Sequence, residues 1–493
     1  EVFTPPNLVN DILNLLPEEL WKNPDAKFLD PVSKSGVFLR EIAKRLEKGL
    51  TKKIPDKQKR INHIFSNQLY GIAITELTSL LSRRSVYCSK TANGKYSVCD
   101  TFENEQGNIY YKRLKHTWHD GKCTYCGANQ EVYERDEALE TYAYNFIHTD
   151  KPEAIFNMKF DVIIGNPPYQ LSDGGYGTSA TPIYHRFVEQ AKKLNPKYLS
   201  MIIPARWYSG GKGMDEFRDE MLKDNRIRQI VDFPEAIDCF PGVQIKGGVC
   251  FFLWERDNRG LCKVSTSSKG EIVSQMIRPL LENGCETFIR YNEAISIIKK
   301  VQIYNEKSLM YRISARKPFG LETTYKGKSE PFSNAVKLYQ NGGVGYIKES
   351  EIRANLELVK LNKTLIPPLG SGSDSYPHPI LGKPFVVKPN TACTETYLVA
   401  GAFDNMNEAE NLAFYLTTRF LRFLVLLNKP TQHATSKVYS FVPEQDFKER
   451  WTDEKLYKKY DLTKDEIVFI ESLVRPMDLS QNEEPGKEES DEY

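Results

Sequence analysis

No apolar run in this 493-residue chain approaches the roughly 20 residues that a helix needs to span a bilayer. The densest, "RFLRFLVLLNK" (Arg419 to Lys429), is short and broken by arginines, which predicts a buried helix and no membrane partner. Cysteine is scarce: nine in the whole chain exclude a disulfide scaffold and make a reducing cytoplasm the expected compartment. No signal peptide is visible, and an opening at Glu1 rather than Met leaves room for residues upstream. There is no internal repeat. Nor does one charge dominate: the formal net charge of +2 permits a nucleic-acid partner without identifying one.

What is present is a globular composition, 40% hydrophobic and 27% charged, with length enough for two or three domains. Charge is unevenly spread. Arg316 to Ser440 carries 15 Lys and Arg against 10 Asp and Glu, whereas Phe441 to Tyr493 carries 8 against 16. Residues 479–493, which include "SQNEEPGKEESDEY", have almost nothing to bury and read as a disordered acidic tail.

The first two thirds of the chain alternates short strands and helices. "TPPNLVNDILNLLP" is a proline-started amphipathic helix, and Lys27 to Leu29 a strand followed by a small-residue turn and a helix from about Val37. "QLYGIAI" is a strand, "TELTSLLSRR" a helix, and after an interruption "YAYNFIHTD" and "FDVIIG" read as two more strands. "TPIYHRFVEQAKKL" (helix), "YLSMIIPAR" (strand), "FRDEMLKDNRI" (helix), "RQIVDFP" (strand) and "GVQIKGGVCFFLWE" (closing strand or hairpin) follow. Such alternation predicts a doubly wound α/β sheet.

Two strand ends carry chemistry. In "FDVIIGNPPYQ" (Phe160 to Gln170) the β-branched run is stopped by Pro167 and Pro168, which forbid both helix and ladder pairing. Asn166 and Tyr169 are therefore presented from a stiff loop at the carboxyl end of a strand, where ligands bind in open α/β sheets. In "FLDPVSKSGVFL", Asp30 ends a strand, and Ser35 and Gly36 let the backbone approach a ligand. A carboxylate there can bind an amino group or sugar hydroxyls.

In the order "FTPPNLV", "FLDPVSKSGVFL", "FDVIIGNPPYQ", these motifs resemble the gamma-class adenine-N6 DNA methyltransferases of bacterial type II and IIG restriction–modification systems. The resemblance covers residues 1–260, and "LVLLNKPTQHATSKVYSFVPEQDF" is similar to the C-terminal part of those enzymes. It implies a Rossmann-like domain and S-adenosylmethionine as methyl donor. Thr4, Pro5, Asp30 and Pro31 would surround the methionine end of that cofactor, and Asp150 its adenine ring. There are two departures from the pattern: Lys34 stands where glycine is usual, and Ala73 and Thr75 stand where an acidic residue holds the ribose, leaving Glu76 as the nearest substitute. The implied partner is duplex DNA. Because "ELVK" (Glu357 to Lys360) lacks the upstream Asp of a metal nuclease, cleavage would belong to a partner endonuclease or an N-terminal region.

The chemistry of the NPPY loop suits that reaction. The exocyclic amine of adenine is a poor nucleophile because its lone pair is delocalised into the ring. The Asn166 amide oxygen and the Pro167 carbonyl can each accept one of its N–H bonds and aim the lone pair at a methyl sulfonium. Tyr169 can stack on a flipped base, a contact worth roughly 1–3 kcal/mol, which offsets much of the cost of extrusion. Release-factor glutamine and ribosomal-RNA guanine methyltransferases also use NPPY, so RNA or protein glutamine is an alternative substrate. A non-catalytic DNA-binding subunit with a degenerate cofactor site is another.

The interruption, residues 85–130, contains Cys88, Cys99, Cys123 and Cys126. A C-x-x-C-G turn places two thiolates on one tetrahedral ion, so a structural Cys₄ zinc module is expected, with His116 and His119 as replacements for a cysteine. The expected domains are a methyltransferase domain over 1–315 and an α+β target-recognition domain over 316–478. In the latter, "NLAFYLTTRFLRFLVLL" reads as one core helix, and Lys363, Lys388, Arg419, Lys429 and Lys437 are candidate DNA contacts.

Overall fold

Short buried runs between amphipathic helices assemble into one nine-stranded sheet in the computed structural model, which describes residues 2–134, 143–171, 181–209, 213–243, 245, 247–368, 379–428 and 435–478. The chain divides into two compact units, 1–288 and 289–493.

In the first unit, α1 (Pro6–Leu13) precedes β1 (Phe28–Ser33), α2 (Val37–Gly49), α3 (Lys57–His63), β2 (Leu69–Ala73) and α4 (Glu76–Tyr87). Then come β3 (Ile109–Tyr110), the small hairpin β4 (Trp118–His119) and β5 (Lys122–Cys123), and the single turn α5 (Gln130–Tyr133). The rest comprises β6 (Val162–Gly165), α6 (Tyr184–Lys193), β7 (Tyr198–Pro204), α7 (Asp215–Lys223), β8 (Ile227–Phe233), β9 (Val249–Glu255), β10 (Cys262–Ser268) and β11 (Glu271–Arg278).

The sheet order is β3-β2-β1-β6-β7-β9-β8-β10-β11. The run from β3 to β7 is parallel, and β9 enters antiparallel between β7 and β8. Every residue of β1, β2, β6 and β7 is buried, because helices cover both faces of a parallel sheet. Phe28, Val162 and Ile164 face one core, Leu29, Val32 and Ile163 the other. From β1 the chain runs outward to β2 and β3, then returns to the opposite side of β1 as β6. The carboxyl ends of β1 and β6 therefore form the topological switch point, the ligand crevice of a Rossmann-like sheet.

One expected strand is absent. "YAYNFIHTD" contributes no strand among its described residues, because Ile147 and His148 both donate their backbone N–H to Tyr144 O, which makes a turn. The strand beside β2 is β3, from within the interruption.

The second unit has α8 (Ala294–Ile303) and two three-stranded sheets. One joins β12 (Ala335–Gln340), β13 (Gly343–Lys348) and β16 (Thr391–Cys393), and the other β14 (Asn362–Ile366), β15 (Phe385–Val387) and β17 (Leu398–Phe403). After them come α9 (Met406–Thr417), α10 (Arg419–Leu427), α11 (Asp453–Lys459) and α12 (Lys464–Leu473). The single core helix expected here is two. Thr418 is extended (φ −64°, ψ 146°) and caps α10 through Leu421 N, while the Asp453 carboxylate accepts the N–H groups of Arg419 and Phe420, satisfying the new helix start. α10 is buried, as expected from its composition, down to Arg422 at 1% exposure. Among the described residues no helix is long and apolar enough to cross a membrane. The acidic tail lies outside the described residues.

Candidate active site

β6 ends at Gly165, where nothing larger fits. A Cβ there would lie 2.7 Å from Val32 Cγ2 and 2.9 Å from Asp30 Oδ1, so the end of β6 rests directly against the Asp30 carboxylate of β1. Asn166 follows, 3% exposed. Its Nδ2 donates to Thr4 Oγ1 at 3.0 Å, which fixes the amide plane and leaves Oδ1 buried with no hydrogen-bond partner among the described residues. An unpaired buried amide oxygen costs about 1–3 kcal/mol, a cost that a ligand N–H would remove. Pro167 and Pro168 are buried and Tyr169 is half-buried. The Tyr169 ring meets Phe240 edge-on at 6.5 Å, its hydroxyl has no partner among the described residues, and burial pushes the phenol well above its usual pKa.

The β1 loop is pressed onto α4. Ser33 and Ser82 share a hydroxyl–hydroxyl bond of 3.0 Å, and the Ser82 hydroxyl also lies 3.1 Å from Lys34 O as a donor. Gly36, the N-cap of α2, has φ +71°, and a Cβ on it would meet the Ser82 backbone at 3.0 Å. Glycine is needed there on both counts. Asp30 accepts from Val32 N at 3.1 Å. Burial raises its pKa from 3.8 to about 7, against the pull of the Val32 N–H, the Ser33 hydroxyl and the Lys34 charge.

Lys34 is buried and donates to Val2 O at 3.2 Å. With the Thr4–Asn166 bond, this ties residues 2–4 to both motif loops. The structure thus brings together Thr4, Asp30 and Asn166, with buried Pro31, half-buried Pro5 and Ser35, and Gly36 on the same loops. Glu76 is exposed as the first residue of α4, and Asp150 is exposed with Tyr125 Oη donating to it at 3.4 Å.

Thr4→Val is expected to lower the turnover this site supports by about 10–100-fold, because the Asn166 amide becomes free to rotate out of its fixed orientation. Single-turnover kinetics check this, and an unchanged rate would show that the Thr4 bond is idle.

The cysteines do not gather as expected. Cys88 is the exposed C-cap of α4, in the left-handed region at φ 59°. Cys99 is buried in the core on the other face of the sheet, near the hydroxyls of Ser66 and Thr101. His119 is exposed and pairs with Asp120. The group that does converge is His116, Cys123, Cys126 and His148, whose ligand atoms all lie within 4.8 Å of one another. His148 was missed because "FIHTD" reads as a strand.

In the second unit, Lys363 is no surface contact. It is fully buried, donates to Leu361 O at 2.9 Å, and burial lowers its pKa to about 8. The guanidinium of Arg419 pairs with Glu471 at 2.8 Å. Lys388 and Lys437 are exposed. Lys429 lies outside the described residues.

An amide oxygen left open at the switch point of a doubly wound sheet, beside a small-residue loop and a buried carboxylate, defines a Rossmann-like group-transfer site. Residues 67–240 match the family model of the Eco57I restriction-modification methylase. An "uncharacterized adenine-specific methylase" of Mycoplasma pneumoniae (strain ATCC 29342 / M129) is 42% identical over 302 residues, 55% of this chain and 71% of that protein. Among solved structures, a DrdV–DNA complex aligns at 11% identity and TM-score 0.44 over 91% of this chain and 56% of that one. The type IIL restriction-modification enzyme MmeI in complex with DNA aligns at 12% identity and TM-score 0.42, over 83% and 60%. The chain belongs to the adenine-specific methylases. It is an adenine-specific methyltransferase.

Proposed function

We propose that this enzyme transfers a methyl group from S-adenosylmethionine to N6 of an adenine flipped out of duplex DNA at a fixed short sequence, as the modification activity of a restriction–modification system. The observation that carries the reading is the Asn166 Oδ1, buried and without a partner among the described residues, with its amide locked by Thr4.

S-adenosylmethionine supplies an electrophilic methyl group on a sulfonium. The residues present fit it: a left-handed glycine in a tight loop and a buried carboxylate that lacks a full countercharge suit a cationic ligand carrying an amino group. Asp30 holds that amino end, together with Thr4, Pro5, Pro31, Ser35 and Gly36, while Glu76 and Asp150 serve the ribose and adenine. Asn166 Oδ1 and Pro167 O each accept a hydrogen bond from one N6–H, so the nitrogen lone pair points outward as its ring conjugation weakens, and the methylated nitrogen then releases its extra proton to water. Tyr169 stacks on the extruded base. Its phenol stays neutral at every working pH, which keeps an anion away from the ring face. The second unit, with Lys388, Lys437 and Lys429, reads the duplex, and a nuclease in the same system would be a partner chain or a further region of this protein.

The test is to incubate plasmid DNA with the protein and S-adenosylmethionine and to sequence it by a method that reports N6-methyladenine at single bases. Modification confined to one recurring sequence is expected. Methylation scattered over unrelated adenines, or found only in RNA or protein offered in competition, would overturn the assignment.

A further inference from the structure

The insertion that interrupts the sheet has little core of its own. Its β4 and β5 are two residues each, and its only described helix, α5, is four residues long. Yet Cys123 and Cys126 are buried, at 3% and 5% exposure. The backbone around them forms a tight knuckle. Asp120 (φ 48°) and Gly121 (φ 72°) turn the β4–β5 hairpin, Cys123 N donates to Ala128 O, and Gly127 N, with φ 76° at that residue, donates to Cys123 O.

Against this knuckle stand two imidazoles. Cys126 Sγ lies 3.4 Å from His116 Nδ1, and Cys123 Sγ lies 3.5 Å from His148 Nε2. A tetrahedral ion with Zn–S of about 2.3 Å and Zn–N of about 2.0–2.1 Å needs a sulfur–nitrogen edge of about 3.5 Å. His148 Nδ1 is 2.9 Å from Tyr144 O. Donation to that carbonyl fixes the tautomer and leaves the Nε2 lone pair facing the thiols, the outer-shell arrangement of histidine metal ligands. The Trp118 ring stacks on His116 at 4.9 Å, and Tyr125 lies over His148 at 5.6 Å, so aromatic walls shield the group from water.

We propose that His116, Cys123, Cys126 and His148 are the ligands of a resident zinc ion that fastens the insertion to the segment leading into β6. Two thiolates and two imidazoles in a tetrahedron favour zinc over the oxygen-seeking divalent ions, and both thiols release their protons on binding. The fastening has a consequence at the cofactor edge. Tyr125 sits between the two cysteines and donates to Asp150, and Gln190 holds the same segment through Phe146 O and Thr149 O. Zinc thus positions Asp150, and this part rests on the reading of Asp150 as a cofactor contact.

Elemental analysis of the full chain as purified is expected to find one zinc per chain, lost in Cys126→Ser and His148→Ala and kept in Cys88→Ser and Cys99→Ser. Because the ligand variants can fail to fold, Co(II) is also exchanged into the unaltered protein. Intense tetrahedral visible bands with sulfur-to-cobalt charge transfer are expected. Protein that holds no zinc as purified and takes none up from zinc chloride would overturn the site, as would an octahedral cobalt spectrum without a sulfur band. S-adenosylhomocysteine is expected to bind several-fold more weakly to chelator-stripped protein, with recovery on adding zinc. Unchanged binding, in a protein that holds its zinc, would overturn the link to Asp150 while the metal site stands.

Discussion

Asn166→Ala is expected to lower methyl transfer by about 10²–10³-fold, the loss typical of removing one preorganised hydrogen-bonding group from a transition state, while cofactor binding changes little. The separation follows from position. Asn166 holds the N-terminal strap through Thr4 with its amide nitrogen and keeps its oxygen buried at the end of β6, whereas the carboxylate assigned to the cofactor's amino end, Asp30, lies on β1. Stability is expected to move the other way or not at all. The unaltered protein buries an amide oxygen that has no partner among the described residues, and alanine relieves that desolvation of about 1–3 kcal/mol in exchange for a small cavity and an unpaired Thr4 hydroxyl. Quench-flow rates, cofactor titration and thermal melts of the same preparation measure the three quantities. A variant that loses cofactor binding and melts early would show Asn166 to be a structural residue.

Asp30→Asn is expected to separate stability from function still more widely. Burial holds the folded-state pKa near 7, above the ordinary 3.8. Between those values the folded chain holds a proton that the unfolded chain has lost, so stability falls as pH rises through that window and the full penalty is present above pH 7. At about 1.4 kcal/mol per pK unit, the charged carboxylate costs on the order of 4 kcal/mol at pH 8. Asparagine keeps the acceptor for Val32 N and removes the charge. The cofactor-free variant is therefore expected to melt higher than the unaltered protein at pH 8, with the advantage shrinking as pH falls toward 5. Cofactor affinity is expected to drop about 10–100-fold, the worth of one hydrogen bond to a charged group. Equal melting at pH 8 together with unchanged affinity would remove Asp30 from the site.

These opposed effects explain why this part of the chain was legible from sequence. A β-branched run stopped by two prolines, and a small-residue turn after Asp30, are local signals, and each contradicts what a merely stable fold would choose. Among the described residues the Asn166 amide oxygen is buried without a partner and Asp30 is buried with its pKa raised, and both are costs that a bound ligand would offset. The unlegible parts depend on residues far apart in the chain. The break between α9 and α10 is held partly by Asp453, 34 residues beyond Arg419, so the apolar run around Thr418 gives little sign of it. Lys363 looks like a loop cation, but it lies in β14 with its ammonium turned back to Leu361 O. His148 looks like part of a strand, and only folding brings it to Cys123. The departure at Lys34 also changes meaning: its ammonium reaches Val2 and its charge favours ionised Asp30, so it braces the loop that glycine would leave open.

The most direct measurement of the central claim is transfer of label from methyl-labelled S-adenosylmethionine to mixed-sequence duplex DNA, followed by digestion and nucleoside chromatography, for the unaltered protein beside Asn166→Ala. Label that co-elutes with N6-methyldeoxyadenosine in the first sample and vanishes from the second is the expected result. Label in a cytosine product, or equal labelling of adenine by both proteins, would contradict the assignment of Asn166 Oδ1 as the acceptor that prepares adenine N6 for transfer.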